Sequence, residues 1–237
     1  MNTSPGSPVP MGGKMALRPL QFLWIVDCSA SMETDGKIEA LNTAIREAIP
    51  SMRDVADNNP HAQILVRVLK FSSGAEWHVA QPTSIENFQW ADLNAAGVTD
   101  MGKALKIVAG ELDVARMPPR SYPPVLALVS DGMPTDDFDE GLRQLMAQPW
   151  GKKAVRLAIA IGRDADTDRL QQFIGYPELK PLQANNPEQL AKYIRFVSTV
   201  VGPVSQPRSR LPGTPAAAGN VVLPTAPQAS FNPNDPW

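Results

Sequence analysis

The chain has 237 residues, of which 43% are hydrophobic and 19% charged, with a formal net charge of −2. That apolar fraction supplies a sizeable core, and the near-neutral balance gives no bulk attraction to nucleic acid or to an anionic membrane. Its one cysteine, Cys28, excludes an intrachain disulfide, and no apolar run approaches the roughly 20 residues of a membrane span.

Residues 1–16 hold Pro5, Gly6, Pro8, Pro10, Gly12 and Gly13 and read as a flexible leader, without the apolar stretch of a secretory signal. A cytoplasmic protein is therefore expected. Residues 20–26 are a continuous apolar strand. Over 37–52, Ile38, Leu41, Ile45 and Ile49 recur at helical spacing on one face. A strand is expected over 64–71, with Arg67 and Lys70 among its apolar positions. It is followed by a hairpin partner over 76–80, with Ser72-Ser73-Gly74 as the turn.

A second helix is expected over 100–116, with Leu105, Val108 and Leu112 on its apolar side and Pro118-Pro119 as its stop. Further elements are a strand over 125–129, a short helix over 138–146, a strand over 154–161 ended by Gly162, and a helix over 167–174. A short strand near Leu182 precedes a closing helix over 187–201, with Asn186 as N-cap and Pro187 in its first position. Residues 203–237, rich in Pro, Ala, Ser and Asn, cannot bury enough apolar surface to offset their ordering entropy and read as a disordered tail. Its end, Phe231 to Trp237, is a candidate docking segment because an aromatic anchor follows a solvated linker. Residues 17–202 are thus the expected domain.

Strands alternating with helices specify an α/β fold: a doubly wound, mostly parallel six-stranded sheet with one antiparallel edge strand and helices on both faces. In such sheets ligands bind beyond the carboxyl ends of the strands, at the switch point. Asp27-Cys28-Ser29-Ala30-Ser31 lies at one strand end, Ser130-Asp131-Gly132 at another, and Gly97-Val98-Thr99-Asp100 just before a helix. On one tight loop Asp27, Ser29 and Ser31 offer a carboxylate and two hydroxyls at alternate positions. These are hard oxygen ligands suited to Mg2+, Ca2+ or Mn2+.

With Thr99 and Asp131 in order after that D-x-S-x-S element, the chain resembles the von Willebrand factor A (vWA) family, over about residues 17–202. The resemblance implies a vWA/Rossmann-like fold and a metal-ion-dependent adhesion site made of Asp27, Ser29, Ser31, Thr99 and Asp131. Mg2+ is the expected ion, with Mn2+ or Ca2+ as alternatives. Mg2+ takes six oxygens at about 2.0–2.1 Å. The resemblance implies that Ser29 and Ser31 supply hydroxyl oxygens, that Thr99 supplies another directly or through water, that the two aspartates act partly through water, and that a partner's Asp or Glu completes the shell. Asp131-Gly132-Met133-Pro134-Thr135-Asp136-Asp137, Thr99 to Leu105 and Gly162 to Asp168 are also similar to bacterial TerY-like proteins of tellurium-resistance and stress operons. That similarity implies a scaffold or regulator beside protein kinase or phosphatase components.

No catalytic residues are expected. No phosphate-cradling G-x-x-x-x-G-K-[ST] or G-x-G-x-x-G element occurs, and Ser29 is not in a G-x-S-x-G elbow. His61 and His78 have no nucleophile nearby in sequence. The alternatives to a docking site are an assembly subunit binding through its tails around a structural metal and a Mg2+-dependent phosphoester enzyme. Asp136 and Asp137 are expected to cap the helix beginning near Phe138, and Asp164, Asp166 and Asp168 to form a solvated loop running into a cap, lacking the glycine and glutamate of a calcium loop. Cys28 is expected to pack beneath the metal loop, and Trp77 and Trp90 against the core.

Overall fold

The structure, a computed structural model, describes residues 17–205, 223–228 and 235–237. Its strands are β1 (Arg18–Asp27), β2 (Ala62–Ser72), β3 (Gly74–Ser84), β4 (Val125–Ser130), β5 (Val155–Ile161) and β6 (Leu182–Ala184). They form one sheet in the order β3-β2-β1-β4-β5-β6, parallel except for the edge pair β2–β3. The helices are α1 (Lys37–Asp57), α2 (Met101–Glu111), α3 (Phe138–Ala147), α4 (Pro149–Lys153), α5 (Thr167–Ile174), α6 (Pro187–Thr199) and α7 (Val201–Ser205).

The pleat of the central strand divides the core in two. Leu20, Phe22, Trp24 and Val26 pack with α1, α6 and α7, while Leu23 and Ile25 face α2, α3 and α5. Every residue of β4 and β5 is buried, as in a sheet covered on both faces. The chain leaves β1 for β2 on one side and later returns to β4 on the other. The β1/β4 pair is therefore the switch point, and the polar clusters after both strands meet there.

The six strands, the mostly parallel pairing and the antiparallel edge match the sequence reading. The boundaries differ where polar side chains compete with the backbone. α2 ends at Glu111 rather than 116, because the Asp113 carboxylate accepts from Ala115 N at 3.1 Å and Asp113 O accepts from Arg116 N, making a turn. β3 runs to Ser84, well past 80, and keeps pace with β2 through register irregularities around Val68. Neither α4 nor the 3-10 segment Ala30–Gly36 was expected. The closing helix stops at Thr199 and restarts as α7.

The tail expected beyond 202 behaves differently at its described points. α7 continues to Ser205, Leu223 packs on the α1/α6 side of the core, and Trp237 is buried. The leader 1–16 lies outside the described residues. Among the described residues, no helix is long and apolar enough to cross a membrane.

α2 and α3 touch backbone to backbone. A Cβ at Gly102 would lie 2.3 Å from Asp137 O, and one at Gly141 would lie 2.4 Å from Gly102 O. Gly102→Ala is expected to push these helices apart at a cost of about 1–3 kcal/mol, read as a lower urea midpoint at unchanged m value.

Candidate metal centre

The site forms where three loops are tied together by their backbones. Cys28 N donates to Phe71 O at the end of β2, Ala96 N to Cys28 O, and Ala30 N to Gly97 O, at 2.8, 2.8 and 3.0 Å. The loop carrying Thr99 is thus fastened to the loop after β1. Further back, the buried Asn42 of α1 pins the same long connection. Its side chain donates to Leu93 O and accepts from Leu93 N and from the indole of Trp90.

Asp27, the last residue of β1, is 0% exposed. Its Oδ1 accepts from Ser29 N at 2.8 Å and its Oδ2 from Ser130 Oγ at 2.5 Å, joining the ends of β1 and β4. The Ser29 and Ser31 hydroxyls share a hydrogen bond of 3.0 Å, and Ser31 Oγ donates to Asp131 Oδ1 at 2.7 Å. Thr99 Oγ1 and Ser31 Oγ lie 3.6 and 3.7 Å from the point where a Cβ on Gly132 would sit. All five side chains named from the sequence therefore come together at the switch point. Ser31 is exposed, so the cluster opens to solvent.

Thr99 is held firmly. Its N donates to Thr135 Oγ1 and its O accepts from Thr135 N, at 3.0 and 2.9 Å. Asp100 next to it accepts from Gly74 N and from Lys103 Nζ, both at 2.6 Å. Asp137 caps α3 as expected, accepting from Glu140 N. Asp136 does not cap α3. Both its oxygens accept from the first turn of α2, Gly102 N and Lys103 N, at 2.7 Å each, so the loop after β4 sets the start of the helix behind Thr99. Asp166 caps α5 through Arg169 N. Trp77 stacks under Arg67 at 3.8 Å and Trp90 lies half-buried beside His78, both serving packing.

Sequence reasoning missed Lys37. Its ammonium bonds Asp131 Oδ2 at 2.8 Å with 11% of the side chain exposed. The available signal was positional: a lysine opening α1, where the helix dipole disfavours a cation, needs an acidic partner from elsewhere. Ser130, Thr135 and Asp136 were missed because each acts across loops distant in sequence.

The electrostatics follow from burial. Desolvation pushes the Asp27 carboxyl up to about 6, and the Asp131 charge adds to it. Hydrogen bonds from Ser130 and Ser29 pull the other way. Burial pushes the Cys28 thiol up to about 12, helped by the Asp27 charge. Cys28 is thus a packed residue under the loop, and native protein is expected to react with a disulfide reagent far more slowly than unfolded protein does. Among the described residues no group of three or more His, Cys, Asp or Glu side chains gathers at one point. The cluster is instead two carboxylates and three hydroxyls. This all-oxygen donor set fits a hard divalent cation and offers nothing to a soft one.

The fold is that of von Willebrand factor A domains. The chain is similar to the ArnB paralog VWA2 of Sulfolobus acidocaldarius (TM-score 0.57, 18% identity, covering 76% of this chain and 45% of that one). It is also similar to a von Willebrand factor type A protein of Catenulispora acidiphila (0.59, 17%, 78% and 43%). A third such structure is proximal thread matrix protein 1 of the mussel byssus, solved with a zinc-occupied MIDAS motif (0.61, 18%, 78% and 48%). The chain spans less than half the length of these three solved structures. No protein-family model and no curated protein sequence matches it.

Asp27 takes up its proton near pH 6 when folded and near 3.8 when unfolded. This group therefore favours folding increasingly as pH falls from 7 towards 4, and keeping it charged costs about 1–3 kcal/mol at pH 7. Asp27→Asn keeps the bond from Ser29 N and reverses the one to Ser130, its Nδ2 donating to Ser130 Oγ. In EDTA at pH 7.5 it is expected to raise the urea-unfolding free energy by about that amount and to remove this group's gain on acidification.

Proposed function

We propose that the chain is a metal-dependent protein-interaction module. Asp27, Ser29, Ser31, Thr99 and Asp131 hold one divalent cation, and a partner's Asp or Glu completes its shell. The observation that carries this reading is the gathering of three hydroxyls and two carboxylates at the β1/β4 switch point, open to solvent at Ser31. Its rim fits a protein partner: Val98 and Met133, next to Thr99 and Gly132, expose 47% and 62% of their surface. Apolar side chains beside a cation site give a docking acidic residue something to bury.

When bound, the ion supplies an electron-poor position that prefers an anionic oxygen. Among the ions, Mg2+ suits the small all-oxygen set, with Mn2+ or Ca2+ as alternatives. The zinc in the mussel protein's MIDAS supports divalent binding by this fold. The role is binding, not catalysis. His78 bonds Ala91 O and stacks beside Trp90, and His61 lies at the start of β2, at the opposite ends of the strands from the cluster. The finer reading is a cytoplasmic, bacterial TerY-like scaffold or regulator in a stress-response or defence assembly with kinase or phosphatase components. It is supported by the stretches 99–105, 131–137 and 162–168 of the sequence.

Calorimetric titration of the full chain with Mg2+ is expected to show one site, weakened by about tenfold or more in Thr99→Ala and Asp131→Asn. Capture of a partner from lysate is expected in Mg2+, and to vanish in EDTA and in Asp131→Asn. Equal capture under all three conditions by folded protein would reject ion-mediated docking.

A further inference from the structure

Residues 235–237 lie beside the site. Asp235 accepts from Asn186 Nδ2 at 2.9 Å and from Gln189 Nε2 at 3.4 Å at the start of α6. Trp237 N donates to Asn185 O at 3.2 Å, and its indole Nε1 donates to Asp35 O at 3.0 Å. Asp35 and Gly36 are two successive left-handed residues, φ 54° and 68°, immediately before Lys37. The indole, 7% exposed, thus seats on the turn that aims Lys37.

Gly162 at the end of β5 completes the slot. Its φ is +79°, and a Cβ there would lie 3.4 Å from Lys37 Nζ, 3.5 Å from Lys37 Cε and 3.6 Å from Trp237 Cβ. Lys37 therefore runs between Gly162 and the Asp131 carboxylate, with Trp237 against the same glycine. The ammonium already neutralises one of the two carboxylates that a divalent ion needs.

We propose that residues 235–237 form a latch that holds Lys37 on Asp131 and so sets the affinity of the site for its divalent ion. The claim on affinity rests on the metal reading above. Lys37 is the competing cation, and Trp237, with its Cβ beside Gly162 and its indole bonded to Asp35 O, keeps the lysine stem from swinging away. Releasing the tail frees Lys37 to leave Asp131, and the ion then binds more tightly. A partner that captures Trp237 thereby loads the site, and an ion that displaces Lys37 loosens the tail, since coupling between two sites is reciprocal.

The test is a double-mutant cycle on the full chain with Lys37→Met, Trp237→Ala and both, titrated calorimetrically with Mg2+. Lys37→Met is expected to tighten Mg2+ by about tenfold or more, the size of removing a unit charge from a partly solvated site. Trp237→Ala is expected to tighten it by about fivefold, at the low end of site-to-site coupling, and to add nothing in the Lys37→Met background. A tail that only stabilises the fold would leave Mg2+ affinity unchanged, and factors that multiply would equally overturn the latch.

A second readout needs no ion. In EDTA, mass-spectrometric acetylation of Lys37 is expected to run several-fold faster in Trp237→Ala than in wild type. An unchanged rate overturns the latch whatever Mg2+ does. Absence of Mg2+ binding in all four proteins, with faster acetylation in Trp237→Ala, sinks the metal reading and the claim on affinity while leaving the tail's hold on the lysine standing.

Discussion

A charged carboxylate buried at the end of the central strand is the constraint around which this molecule is arranged. Asp27 has no exposed surface, and its two oxygens are satisfied by the backbone of its own loop and by the hydroxyl ending β4. Those bonds do not fully offset desolvation, which is why its carboxyl rises to about 6. A divalent cation would relieve that cost in the folded state alone, because the unfolded chain does not gather the five side chains. Ion binding at the proposed centre would therefore be linked to folding, and the desolvation cost at the end of β1 would favour it.

The surrounding polar residues divide the work of holding Thr99 in range. Thr135 grips its backbone on both sides, Asp100 anchors the loop to the β2–β3 turn, and Asp136 captures the first turn of α2. The two glycines between α2 and α3 let those helices meet closely enough for this bridge. Polar groups that cap, tie and space the loops are as necessary to the site as the side chains that face it, since a ligand set displaced by an ångström is a different site.

The layers of the fold were legible in the sequence because burial on both faces makes β1, β4 and β5 continuous apolar runs, while α1 and α6 carry one apolar stripe each. The five oxygen-bearing positions were legible because they sit at or just after two strand ends and just before a helix, in fixed order. What escaped were interactions whose partners are far apart in the chain. Lys37 meets Asp131 94 positions away. Asp136 reaches back to Gly102 instead of capping its own helix. The terminal tryptophan looked like a free docking element because composition describes the average of a segment. One indole bonded to Asp35 O, with the Trp237 Cβ beside Gly162, is enough to seat residue 237 against the domain.

The lysine has a consequence for what the site attracts. Asp27 and Asp131 with Lys37 leave one net negative charge, enough to draw a cation but less than two bare carboxylates would. A divalent ion that displaces Lys37 would be balanced by the two carboxylates, and the ammonium left beside them would make the face net positive. On the function proposed above, affinity for the ion is thereby traded for attraction towards an acidic partner. That trade suits a docking surface better than a structural metal centre, where nothing is gained by leaving positive charge unbalanced.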